Sequence, residues 1–154
     1  IAHTDPMDLC IGVGAYPEKH VEAPNLKTDI AFLKQKVDTG ADYIVTQMFY
    51  DNRHFFEYER RCREVGIEVP IIPGLKILTS KSQLTSIPAT FHIDIPDEFS
   101  DRVLEAPDEE VTDIGIEWTL RQAEELLNNN VPALHFFVMQ NSRAITRFLE
   151  RLRP

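Results

Sequence analysis

Gly14-Ala15-Tyr16-Pro17-Glu18-Lys19-His20-Val21-Glu22-Ala23 follows the apolar run Leu9 to Val13 and precedes a helical stripe of Ile30, Leu33 and Val37. A strand that ends in a small-aromatic-Pro turn carrying His and Glu, then hands over to an amphipathic helix, has the grammar of a βα loop. In α/β enzymes such loops sit at the carboxyl ends of parallel strands, where ligands are held and chemistry is done.

The same grammar repeats along the chain. Tyr43 to Phe49, Val69 to Ile72 and Ala133 to Val138 predict further strands. Each is apolar nearly throughout, which implies parallel strands buried on both faces. Helices are expected over 29–39, stopped by Gly40, and over 52–65, stopped by Gly66. A third opens at the capping box Ser80-Lys81-Ser82-Gln83. A longer one spans about 112–129, with Ile116, Leu120, Ala123 and Leu127 as its core stripe, and the last covers about 142–152. Pro88 and Pro96 argue against a central strand in the acidic stretch 88–108. That stretch reads as an elaborated loop of the third βα unit, with a short helix over 97–104.

Four consecutive βα units with right-handed crossovers require a parallel sheet with helices outside it. Gly12-Val13-Gly14-Ala15-Tyr16-Pro17 is no dinucleotide fingerprint, because Pro17 lacks a donor and no third glycine follows. The expected fold is therefore α/β, a single domain forming half of a (β/α)8 TIM barrel; an open doubly wound sheet is the alternative. A complete barrel takes about 250 residues, more than the 154 present.

Composition narrows the function classes. With 43% hydrophobic and 27% charged residues the chain can fill a core and is not disordered. A net charge of -9 argues against nucleic acid, which rewards dense Lys/Arg. No apolar run approaches the roughly 20 residues of a membrane span, and no signal-peptide core opens the chain. Cys10 and Cys62 lack framework or metal-ligand spacing and read as reduced, buried thiols of a cytoplasmic protein.

Several blocks keep a recognisable order. They are Ala15-Tyr16-Pro17-Glu18-x-His20-x-Glu22-Ala23, Leu33-Lys34-x-Lys36-Val37-Asp38-x-Gly40-Ala41-Asp42 and Ile44-Val45-Thr46-Gln47-Met48-Phe49-Tyr50-Asp51. Arg61-Cys62-Arg63-x-x-Gly66-Ile67, Ile71-Ile72-Pro73-Gly74-Leu75 and Val131-Pro132-Ala133-Leu134-His135-Phe136-Phe137 continue the series. Together they resemble the methylenetetrahydrofolate reductase family, over the fifth to eighth βα units of its barrel. The resemblance implies an FAD-dependent oxidoreductase of one-carbon metabolism, serving methionine biosynthesis. It reduces 5,10-methylenetetrahydrofolate to 5-methyltetrahydrofolate with NADH or NADPH as donor.

Residue by residue, the resemblance assigns Tyr16, His20, Ala23, Asp29 and Lys36 to FAD, and Gln47 and Gln83 to the folate substrate. The residue chemistry is compatible. Tyr16 offers a flat amphipathic ring. Asp29 and Lys36, seven apart, share one helical side, where Lys36 can neutralise pyrophosphate and Asp29 can accept from ribose or adenine. Gln47 closes a strand at the ligand-binding end. Gln83 serves folate or the capping box, or both in turn. Without the resemblance, each of these residues has a bland reading as rim, flank or cap.

Departures from the family pattern are Phe32 and Gln35 on the first helix, Ile87 where an aromatic ring cover is expected, and Val138-Met139-Gln140-Asn141 after the last strand. There Asn141 stands near the expected arginine, which Arg143 is placed to replace or not. His135 and Phe136 read as strand core, and Trp118 as a barrel-facing anchor beside a surface Glu117. The family's general-acid glutamate and flavin-tuning aspartate fall on earlier strands, so no catalytic acid is assigned. The isolated chain is expected to be inactive and to need the missing N-terminal half as partner. The competing expectation is a non-catalytic half-barrel that self-associates as a homo-oligomer to cover its edge strands.

Overall fold

A computed structural model describes residues 9–139 and 142–152. Four parallel strands lie in the order β1 (Gly12–Ala15), β2 (Tyr43–Met48), β3 (Ile71–Leu75) and β4 (His135–Phe136). Strand order follows chain order without reversal, so there is no switch point. That excludes the doubly wound alternative and gives a sector of a β/α barrel. Helices α1 (Leu26–Asp38), α2 (Asn52–Glu64), α5 (Val111–Asn128) and α6 (Arg143–Leu152) alternate with the strands. The third crossover also carries α3 (Gln83–Phe91) and α4 (Asp97–Glu105).

Local chemistry sets the helix ends. Asn25 caps α1, its Oδ1 accepting from the Thr28 N–H at 2.9 Å, so α1 starts a turn earlier than periodicity suggested. Asp51 caps α2 through the Arg53 N–H at 2.9 Å. Gly40 and Gly66, at φ 112° and 79°, supply the left-handed exits. The expected capping box of Ser80 with Gln83 does not form: Gln83 Oε1 accepts the Thr79 N–H at 2.7 Å instead of that of Ser80, and the helix opens only at Gln83, after Ser82, which makes no side-chain cap bond.

Three sequence expectations are corrected. β1 begins at Gly12, not Leu9; Leu9 and Ile11 are exposed, and Ile11 N–H is fixed by the Asp42 carboxylate at 2.7 Å. Burial on both faces is nearly met in β3, buried at every position but Ile72, and is not met in β2. In β2, Ile44, Thr46 and Met48 are buried against helices, whereas Tyr43, Val45 and Gln47 are half-buried on the concave side. A four-strand arc seals its convex face with helices and leaves its concave face open. On α5 the buried stripe runs through Ile116, Ala123 and Leu126; Leu127 is 44% exposed because the helix meets the sheet one residue earlier.

The core has two parts. One packs the convex side of the sheet on α1, α2, α5 and α6, through Ile44, Ile71, Leu75, Phe55, Ile116 and Phe148. The other joins Met48, Tyr50 and Leu78 to Ile87, Ile93, Ile95, Phe99 and Val103 of the third crossover. Trp118 faces this second cluster rather than the barrel, stacking on Phe99 at 4.6 Å and donating Nε1–H to the Tyr50 carbonyl at 2.9 Å. Ile87, 2% exposed, is consumed by the same packing and covers no cleft.

The two cysteines differ. Cys10 is exposed, against expectation, because it precedes β1; Cys62 is fully buried and burial pushes its thiol up to about 11. Iodoacetamide at pH 8 should therefore alkylate Cys10 alone in the folded protein and both thiols after denaturation, as counted by mass spectrometry. Two rapid modifications in the folded state would contradict this packing.

No helix among the described residues is long and apolar enough to cross a membrane, and no group of three or more His, Cys, Asp or Glu among them is placed to hold a metal ion.

Candidate functional site

The β1–α1 loop is two successive tight turns. Lys19 N–H donates to the Tyr16 carbonyl and Ala23 N–H to the His20 carbonyl, each at 3.0 Å, and Lys19 takes φ 82°. Asp29 on α1 locks the loop from below, its carboxylate accepting the His20 N–H at 2.9 Å. The Tyr16 and His20 rings meet edge to face at 4.5 Å. Glu18 ties the loop to the third crossover by accepting the Asp94 N–H at 2.7 Å, with His54 Nδ1 at 3.4 Å. Burial raises its carboxyl above the usual range, against the opposing pull of these two groups.

Between this loop and α1 lies a groove of about 540 Å³, and Tyr16, His20, Ala23, Asp29 and Lys36 all line it. Phe32 and Gln35, the two departures on α1, line it too, with Glu22 and Thr39. Phe32 is 53% exposed, an apolar face opening on the groove where a polar residue was expected.

A second cleft, of about 270 Å³, lies on the concave face of the sheet. Gly14, Tyr16, Val45, Gln47 and Phe137 line it, so Tyr16 is a wall shared by groove and cleft. A register shift lies between Val45 and Met48 of β2, the interval that holds Thr46 and Gln47. Thr46 Oγ1 fills the irregularity by accepting the Gly74 N–H at 2.9 Å, and bulges of this kind re-aim side chains beside sites. Gln47 Oε1 accepts the Met48 N–H at 3.0 Å, which orients its amide. The strand end is anchored from behind by α5: Gln122 Nε2 donates to the Phe49 carbonyl at 3.2 Å, and Asn52 Nδ2 to the Gln122 carbonyl at 3.0 Å.

Gln83 stands apart from Gln47. It lines a third hollow, a rim slot of about 180 Å³ between the end of β3, the segment after β4 and α6. Phe137 lines both slot and cleft, which makes the two adjacent. His135 is exposed and Phe136 half-buried against Phe148, so only the second is core. Asn141 lies outside the described residues, as does Gln140; Arg143 opens α6 and is engaged in an interaction. Sequence reasoning passed over Lys76 and Phe137. Lys76 lies just beyond β3, where strand alternation no longer places a side chain, and Phe137 follows a two-residue strand too short for alternation to show.

Comparisons with known proteins give the family and the fold. A family profile described as methylenetetrahydrofolate reductase matches residues 3–153. Methylenetetrahydrofolate reductase 2 of Saccharomyces cerevisiae is 40% identical over 149 residues, covering 94% of this chain and 25% of that protein. A probable methylenetetrahydrofolate reductase (NADPH) of Caenorhabditis elegans is 32% identical over 92% of this chain and 22% of its own length. The chain thus spans about a quarter of these relatives. A solved structure from Clostridium thermocellum, of a protein that binds two copies of 5-methyl-5,6,7,8-tetrahydrofolic acid, superposes with a TM-score of 0.62 at 18% identity. It covers 93% of this chain and 52% of that one, and supports the fold.

Proposed function

The chain belongs to the methylenetetrahydrofolate reductase family, and from that premise we propose that it supplies the cofactor groove and part of the folate cleft of an FAD-dependent 5,10-methylenetetrahydrofolate reductase. The observation that carries this reading is the position of Tyr16, common to the groove with His20, Asp29 and Lys36 and to the cleft with Gln47. A reaction between two bound rings needs such a shared wall.

The groove fits FAD. Tyr16 and Phe32 offer planar apolar faces, Lys36 an exposed cation for pyrophosphate, and buried Ala23 a small wall at the end of the loop. A bound FAD would supply hydride transfer between a reduced nicotinamide donor and the folate. The protein's part is positional. Tyr16 orients the ring beside it, Lys36 balances phosphate charge, and Asp29 works through the loop backbone it holds rather than only through the ligand. Gln47, with its oxygen committed to Met48, turns its amide nitrogen toward acceptors on the substrate ring. Four strands do not close a barrel, so further strands are needed to complete the concave site. On this reading the 154-residue chain by itself binds FAD weakly and does not turn over.

The test is the full-length gene product. It should purify yellow and oxidise NADH or NADPH only when 5,10-methylenetetrahydrofolate is supplied. Gln47→Leu should raise the folate KM about tenfold or more, the cost of a lost polar contact, with flavin content unchanged. A colourless, discrete dimer without turnover would favour the self-associating binding module instead.

A further inference from the structure

Lys76 follows directly on β3 (Ile71–Leu75), at the rim of the sheet, and lines the same slot as the segment after β4. A Cβ built on Gly74 would lie 2.2 Å from the Thr46 carbonyl oxygen and 2.7 Å from Cε2 of Phe137, so the Phe137 ring lies tight against the end of β3, beside the slot. Lys76 is half-buried at the rim and lines the slot with Thr79, Gln83, Phe137, Met139 and Ile145. Three other lysines have partners: Lys34 pairs with Asp38, Lys81 reaches Asp108 and the Leu104 carbonyl, and Lys19 caps the Ala23 carbonyl; Lys27 and Lys36 are exposed to solvent, where an ammonium needs no partner. Among the described residues Lys76 has none, and desolvation by burial lowers its titration with no charge or hydrogen bond contributing. A partly desolvated ammonium without a counter-charge is costly, and the cost is offset once an anion enters.

We propose that Lys76 is an anion subsite of the substrate cleft, its Nζ meeting a carboxylate or phosphate oxygen of the substrate whose ring occupies the Gln47 cleft. The inference rests on the reductase reading above and deepens it. Gln83 and Thr79 supply polar edges beside the cation, while Phe137, Met139 and Ile145 supply an apolar wall, so the slot suits a chain that is apolar along its length and anionic at its end. Two sources carry such an anion: the glutamyl carboxylates of the folate and the phosphates of the nicotinamide donor. Lysine serves either as a compact point charge.

The experiment measures affinities of the full-length protein, by calorimetry, for 5-methyltetrahydrofolate and for NADH and NADPH. Lys76→Met is expected to weaken one of these ligands about tenfold or more, and Lys76→Arg to stay within about threefold of the unaltered protein. If the folate is the source, its uncharged pteroyl amide analogue, which lacks both glutamyl carboxylates and carries no benzoate carboxylate, binds the unaltered protein equally weakly and loses nothing more in Lys76→Met. If the donor is the source, reduced nicotinamide riboside, which has no phosphate, shows that pattern instead. Unchanged affinity of Lys76→Met for all ligands overturns the proposal while leaving the reductase reading intact. Should Lys76→Met not fold, the two truncated ligands decide on the unaltered protein: affinities equal to those of their parents overturn it. An unaltered protein that binds neither folate nor nicotinamide sinks both readings.

Discussion

Phe99→Ala should cost about 3–5 kcal/mol of folding stability, the range for emptying a large aromatic site in a core. Phe99 is fully buried between Trp118, stacked at 4.6 Å, and Tyr50 at 5.6 Å, and its neighbours Val103, Ile93 and Ile95 are also buried. Trp118 cannot follow into the void, because its indole N–H is bonded to the Tyr50 carbonyl and Arg121 lies 4.7 Å over its ring. Since domains are stable by only about 5–15 kcal/mol, the loss should show as a large drop in the urea midpoint. A loss under about 1 kcal/mol would mean that the third crossover is a peripheral loop after all. The prediction thus separates the sequence's picture of this segment from the structural one.

Gly115→Ala should be destabilising by about 2–3 kcal/mol, although alanine is the better helix former by about 1 kcal/mol. Gly115 sits inside α5 where the helix touches the backbone after β3. A Cβ there would lie 2.0 Å from the Leu78 carbonyl oxygen and 3.0 Å from its carbon. A side chain would swing away; a carbonyl held in the main chain moves only if Leu78 and the following Thr79–Gln83 turn move with it. That turn borders the rim slot, so folate affinity should fall along with stability. Gly14→Ala is the control: nothing lies within 4 Å of its Cβ, and stability should change by less than about 0.5 kcal/mol. Thermal unfolding of the two variants side by side would check the pair. Equal effects would show that close backbone approach is not what Gly115 provides.

Much of the fold was legible because it depends on local rules. Gly40 and Gly66 mark helix exits that only residues tolerant of positive φ supply, and both carry it. The apolar runs located β2 within one residue. Boundaries slipped where a specific contact overrode periodicity, as at Ile11, which pairs with the Asp42 carboxylate instead of a strand. The site was partly legible. Asp29 and Lys36, spaced by two helical turns, do face one groove with Tyr16 and His20. Ile87 could not be placed, because a residue one helical turn beyond the slot-lining Gln83 can face either the slot or a core until the partner helix α4 is in position.

By itself the sequence determined the alternation of strands and helices, the caps and the identity of the polar residues at strand ends, since these follow from propensity, turn chemistry and period. Only the tertiary structure decided that strand order follows chain order, that Tyr16 belongs to two hollows at once, and that Lys76 and Phe137 line one slot. Those facts depend on which residues meet across long sequence separations. Pairing of strands and packing of helices set such distances, and no local rule contains them.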